Sequence, residues 1–152
     1  MNALAITFHL LAAVVWIGGL FFAYVVLRPS AAALEPPQRL ALWAGVFKRF
    51  FPWVWMAILV LMVSGYWLIL DWFNGFASSP AYVHLMHLLG WVMAGIFIYL
   101  YYKVYPLFVA AVKVQDWPSA AMQMNRIRRI VLINLVLGTS VLMAVAALQR
   151  LN

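Results

Sequence analysis

Polarity alternates along this chain on a long wavelength: extended apolar runs are separated by short stretches that hold every Lys, Arg, Asp and Glu. Crossing the hydrocarbon core of a bilayer takes about 20 apolar residues. Four segments meet that length, at about residues 4–27, 50–70, 82–102 and 130–148. The pattern predicts an all-α protein, an integral membrane four-helix bundle forming one transmembrane domain over residues 1–152. Arg28-Pro29 stops the first run, and Lys48-Arg49 and Asp71 bracket the second. The third is expected to continue past Pro106, and Arg126, Arg128 and Arg129 precede the fourth. Between the first two runs, Pro37 suits the first turn of a helix that opens before its apolar part. Asn74-Gly75 and Ser78-Ser79-Pro80 mark a short loop between the second and third, and Pro52 is expected to kink the second.

Composition agrees with lipid as the solvent. The 152 residues are 68% hydrophobic and 9% charged, with mean hydropathy +1.01, whereas soluble domains carry about 25% charged residues. The net charge is +7. A nucleic-acid partner is rejected, because the basic residues sit at the ends of apolar runs, where loop charge and anionic headgroups explain them. Arg28, Arg39, Lys48 and Arg49 flank the first connection, and Lys103, Lys113, Arg126, Arg128 and Arg129 the third; the second has no basic residue. By the positive-inside rule the first and third connections are cytoplasmic, with both termini and the second loop outside. Trp72, Phe73 and Tyr82 are then expected to form an outer aromatic belt, and Tyr99, Tyr101, Tyr102 and Tyr105 an inner one. The first run lacks a basic leader and exceeds the apolar length of a signal peptide, so it is expected to be retained.

Candidate chemistry narrows to three histidines. There are no cysteines, which removes thiolate sites, iron–sulfur clusters and Cys nucleophiles. No carboxylate lies within an apolar run, which disfavours a hard cation. His9 near the start of the first helix and His84 and His87 near the start of the third fall at one depth, and intramembrane ionisable residues are functional candidates. At helical spacing His9 shares a stripe with Ala12, Ala13, Trp16, Gly19 and Ala23; His84 and His87 share one with Trp91, Ala94, Gly95 and Ile98. Small residues mark close helix approach, so both stripes are expected to face protein. His9-Leu10-Leu11-Ala12 echoes His87-Leu88-Leu89-Gly90, which would put His9 and His87 face to face across a parallel two-helix duplication. Imidazoles so placed can ligate a haem iron from both sides, or bind copper or zinc. They can also serve only as hydrogen-bonding links between helices. Asn134 reads as interhelical glue, Ser64, Thr139 and Ser140 as hydroxyls bonded back to their own helices, and the eight methionines as packing. The arginines and lysines read first as topology determinants, with a site for porphyrin propionates, a quinone headgroup or an anionic lipid as the functional alternative.

The run His9-Leu10-Leu11-Ala12-Ala13-Val14-Val15-Trp16-Ile17-Gly18-Gly19 resembles the first helix of CopD-like membrane proteins, in which a His is followed by Trp-x-Gly-Gly. It is also similar to the His…Trp first helix of the HemJ-type protoporphyrinogen oxidases, which are associated with haem b. HemJ proteins carry a His-x-Lys pair early in the third helix; here His84 matches the histidine and Met86 stands where the lysine would be. Four-helix bis-histidine membrane cytochromes are an architectural analogy. The resemblance implies a multi-pass protein of the bacterial inner membrane. Three readings follow. The first is a b-type haem protein in electron transfer or porphyrin- or quinone-linked redox chemistry, an oxidoreductase in the HemJ case, with haem b held by His9 and His87 (or His84) beside Trp16 and Trp91. Its partner would be a quinone, a porphyrin or a periplasmic redox protein. The second is a CopD-like copper-binding or transport protein using His9, His84 and His87. The third is a cofactor-free structural or assembly subunit. Small-residue stripes make a homodimer conceivable.

Overall fold

The computed structural model describes residues 2–148, and these form four long helices: α1 (Ala3–Ala31), α2 (Pro36–Phe73), α3 (Ala81–Lys113) and α4 (Trp117–Ala147). Each is long and apolar enough to cross a membrane, and no strand occurs among the described residues. Helix α1 packs mainly on α2 and α3 on α4, while α4 also touches α1 and α2. The expected placement of both termini falls partly on Met1 and residues 149–152, outside the described residues.

The helices outrun their apolar cores at the basic end. Pro36 and Pro37 open α2 in its first turn, where a missing N–H costs nothing. At 1.5 Å per residue its 38 residues span ~57 Å, well beyond a ~30 Å hydrocarbon core. Helix α3 runs past Pro106 to Lys113, and α4 starts at Trp117, about a dozen residues before its apolar part. The prolines leave different traces. Pro29 and Pro106 each lack the N–H that would bond the carbonyl four residues back, at Val25 and Tyr102, and their rings crowd that carbonyl. Both carbonyls lie inside π-helical turns, Phe22–Leu27 and Leu100–Val104, which widen the helix where the regular bond is lost. A further π turn, Val14–Gly18, brackets Trp16. Around Pro52 α2 stays α-helical.

The best-buried part of the bundle lies toward the basic end. Trp43, Phe47 and Phe51 form a row along one face of α2, with ring centroids 5.2 and 5.0 Å apart. Phe108 and Tyr105 meet Phe47 edge-on, and Phe97, Tyr101 and Tyr105 meet Phe51. Edge-to-face pairs of this kind contribute about 0.5–1.5 kcal/mol each beyond area burial. Tyr101 and Tyr105 are therefore partly buried against the core, whereas Tyr99 and Tyr102 are exposed. Ile127, Ala120 and Met124 of α4 close the same core. As expected, Asn134 bridges helices: its buried Nδ2 donates to the Met93 carbonyl of α3 at 3.2 Å. Thr139 bonds back to Leu135.

Two turns hold the connections. At the histidine end Asn74 (φ 54°) and Gly75 (φ 110°) take left-handed backbone, and the Gly75 N–H returns to the Ile69 carbonyl in a Schellman-like stop. At the basic end the Ser119 N–H donates to Asp116 Oδ1 at 3.1 Å, capping α4. The Ser119 hydroxyl and, next to it, this Ser119 N–H hold the Asp116 carboxyl below the ordinary aspartate value. A depressed folded-state pKa means the cap stabilises above the unfolded value and is lost as pH falls through the folded one. The acid-side fall in thermal midpoint below about pH 4 should therefore be shallower in Asp116→Asn than in the parent. A second test concerns α1, where a Cβ built at Gly19 would clash with the Phe50 ring. Gly19→Val is expected to destabilise the detergent-solubilised protein by about 1–3 kcal/mol, and Phe50→Ala in the same chain to recover part of it.

Candidate metal-binding site at the histidine end

The apolar length of α2 carries one conspicuous polar pair, Ser64-Gly65, and His9 of α1 sits against it. His9 Nδ1 lies 2.8 Å from Ser64 Oγ, and that hydroxyl bonds the Val60 carbonyl one turn back. A hydroxyl has a single proton. Donated to Val60, it leaves Oγ as the acceptor for His9, which assigns the imidazole proton to Nδ1 and the lone pair to Nε2. A Cβ built at Gly65 would lie 3.4 Å from His9 Cε1, so the bare backbone there lets the ring reach Ser64. On the same stripe of α1, Ala12, Trp16 and Ala23 are buried, as the small-residue pattern predicts. The Trp16 indole N–H is buried without a partner.

His87 is held differently. Its Nε2 accepts the Trp91 indole N–H at 3.0 Å, and the Tyr66 hydroxyl lies 3.2 Å from the same nitrogen. Indole N–H only donates, so the Nε2 lone pair of His87 is already engaged. Phe76, in the short turn after α2, covers His87 at 4.9 Å and His84 at 5.9 Å between ring centroids. His84 and His87 are thus neighbours beneath one aromatic lid.

The three histidines agree in depth but not in direction. Ser64 and Tyr66 are two residues apart on α2, ~3 Å along the axis, so His9 and His87 lie at similar height. Two residues are also about 200° around that axis, so His9 and His87 approach opposite faces of α2. They do not face one another, and the expected two-fold juxtaposition is not formed: His9 turns to its own hairpin partner, whereas His87 turns to α2 rather than α4. The expected protein-facing stripe on α3 is corrected too. Ala94 is buried, but His84, Trp91, Gly95 and Ile98 are exposed. The buried face of α3 runs through Met93, Ala94, Phe97 and Leu100, because the large apolar residues meet α4 and the aromatic row of α2. Among the described residues no three His, Asp or Glu gather as a metal-binding group.

The match of known families falls on most of this architecture. The family pattern of copper resistance protein D (CopD) covers residues 44–148. The chain belongs to the CopD family. The matched region holds α3, α4 and most of α2, including Ser64, Tyr66, His84 and His87, while His9 and the His-Trp-Gly-Gly run of α1 precede it. No curated protein and no solved structure matches.

Reading the residues alone misses Ser64 as a partner of His9, and with it Tyr66 and Phe76. Ser64 does bond back to its own helix, as expected; what sequence does not reveal is that the same oxygen accepts from another helix. Its position beside Gly65, at the depth of His9, was the available signal. Ser64→Ala should release the tautomer of His9: in ¹⁵N-histidine spectra of the detergent-solubilised protein, the parent shows His9 protonated at Nδ1, and the variant shifts toward the Nε2-protonated form. An unchanged His9 spectrum would contradict the hydrogen-bond assignment.

Proposed function

We propose that this chain binds copper as a cargo within the lipid bilayer, with the Nε2 lone pair of His9 as its principal protein ligand. The observation that carries the reading is the Ser64 bond, which leaves that nitrogen deprotonated on a half-buried ring. A metal-binding histidine is commonly held through its other ring nitrogen in this way. Family membership supports copper over other ions. The donor chemistry agrees: imidazole and thioether sulfur suit copper, the chain offers three histidines and eight methionines, and its three acidic residues, Glu35, Asp71 and Asp116, stand outside the apolar runs. His84 and His87 are a second station, available once Trp91 releases His87.

Haem b is not the reading proposed here. A single haem needs its two histidines on one axis through the iron, and His9 and His87 lie on opposite sides of α2. Exposure of His84 and Trp91 to the bundle surface further weakens enclosure of a large flat apolar group.

Purified protein titrated with copper(I) against a chromophoric chelator is expected to bind copper. Ser64→Ala should weaken binding by about 10–100-fold, and His9→Ala should abolish the tightest phase. Cells expressing the parent chain should differ in copper tolerance from those expressing His9→Ala. Equal affinity and equal tolerance in parent and His9→Ala would overturn the proposal and leave a cofactor-free structural role.

A further inference from the structure

Far from the histidines, at the basic end, a small cavity opens between α1, α2 and α4. It has a volume of ≈ 20 Å³, and Arg28, Trp43 and Arg128 are in its wall. The remaining lining is aromatic or aliphatic and contains no carboxylate. Arg28 and Arg39 both repel Arg128 electrostatically, and Arg28 also lies over the Tyr24 ring, 4.9 Å from its centroid. Like charges brought together in a partly desolvated place need an anion between them.

Two buried donors point to where that anion sits. Trp43 is 3% exposed, and its indole N–H has no partner. The Nε of Arg128 is likewise buried and unpartnered, although its Nη1 donates to Asn125 at 3.3 Å. Buried donors without acceptors are rare in folded proteins and call for a missing partner. Here both belong to residues of one cavity, beside a second guanidinium.

We propose that this cavity is a phosphate-recognising site occupied by the headgroup of an anionic membrane lipid. Guanidinium forks match phosphate oxygens in a bidentate fashion, and basic pockets between transmembrane helices take acidic phospholipids. The cavity is too small to enclose a quinone ring or a porphyrin. It can receive about one oxygen-sized atom, with the rest of the ligand outside. The site shares no residue with the histidine end, so it stands or falls independently of copper binding.

The test measures the thermal midpoint of the whole protein in a neutral detergent, after adding phosphatidylglycerol, phosphatidylcholine or inorganic phosphate. Phosphatidylglycerol is expected to raise the midpoint and phosphatidylcholine not to, with the difference shrinking as salt rises. The double variant Arg28→Gln/Arg128→Gln should lose the response. Lys103→Gln/Lys113→Gln removes the same charge from the same end of the bundle away from the cavity, and should keep it. Should the arginine pair prove too unstable to purify, Trp43→Phe removes one buried donor with little change of shape. It should lower the number of phosphatidylglycerol molecules retained in native mass spectra. An equal response to phosphatidylcholine would overturn the proposal, as would equal losses in the arginine and lysine pairs. A full shift from inorganic phosphate alone would overturn the lipid as occupant.

Discussion

Trp43, Phe47 and Phe51 stand one turn apart on α2, and the other three helices take their places by what they set against that row. Helix α3 contributes Phe97, Tyr101, Tyr105 and Phe108 edge-on. Helix α4 contributes Met124 and Ile127, and α1 fills the remaining side with Ala23 and Tyr24. Lipid tails are as apolar as these rings, so association within a bilayer rests on van der Waals fit rather than on escape from water. Large interlocking rings beside small residues such as Ala23, Ala111 and Ala120 supply that fit. The basic end is consequently the well-packed half of the protein.

Toward the histidine end the aromatic row stops, and packing thins. Beyond Trp55 no aromatic ring of α2 is buried; the larger buried side chains there are the aliphatic Ile58 and Ile69, with Ser64 between them and Tyr66 exposed. Polar contacts do there what rings do at the other end. Ser64 orients His9, and Tyr66 and Trp91 converge on His87. Under the proposed copper binding, a hydrogen-bonded end of this kind would let ligand side chains move without disturbing the core. Different partners give the histidines different standing: His9 presents a lone pair, whereas His87 must first give up an indole.

The histidine and arginine ends divide the chemistry of the molecule by helix depth. Imidazole nitrogens lie at one end, and guanidinium groups beside a small cavity lie at the other. The distorted turns of α1 connect the two. Val14–Gly18 and Phe22–Leu27 adjust the rotation of α1 between His9 and Arg28, so that one helix can set His9 against α2 at one end and Arg28 into the cavity with α4 at the other.

Four membrane-spanning helices, their order and the basic character of one end were legible in the residues themselves, because the apolar length needed to cross lipid and the exclusion of charge from it are properties of sequence. The common depth of the histidines was legible for the same reason, since it follows from counting residues along helices whose ends are marked by charge. Azimuth was not. Which face of α3 turns inward depends on how Met93, Phe97 and Leu100 pack against α4 and the α2 row, and small residues beside His84 and His87 could not outweigh that larger contact. The partners of His9 and His87 were hidden likewise, because Ser64 and Tyr66 are only two residues apart in sequence yet on opposite faces of α2. Sequence determined how deep each histidine lies; only the rotation of the packed helices decided what each one meets.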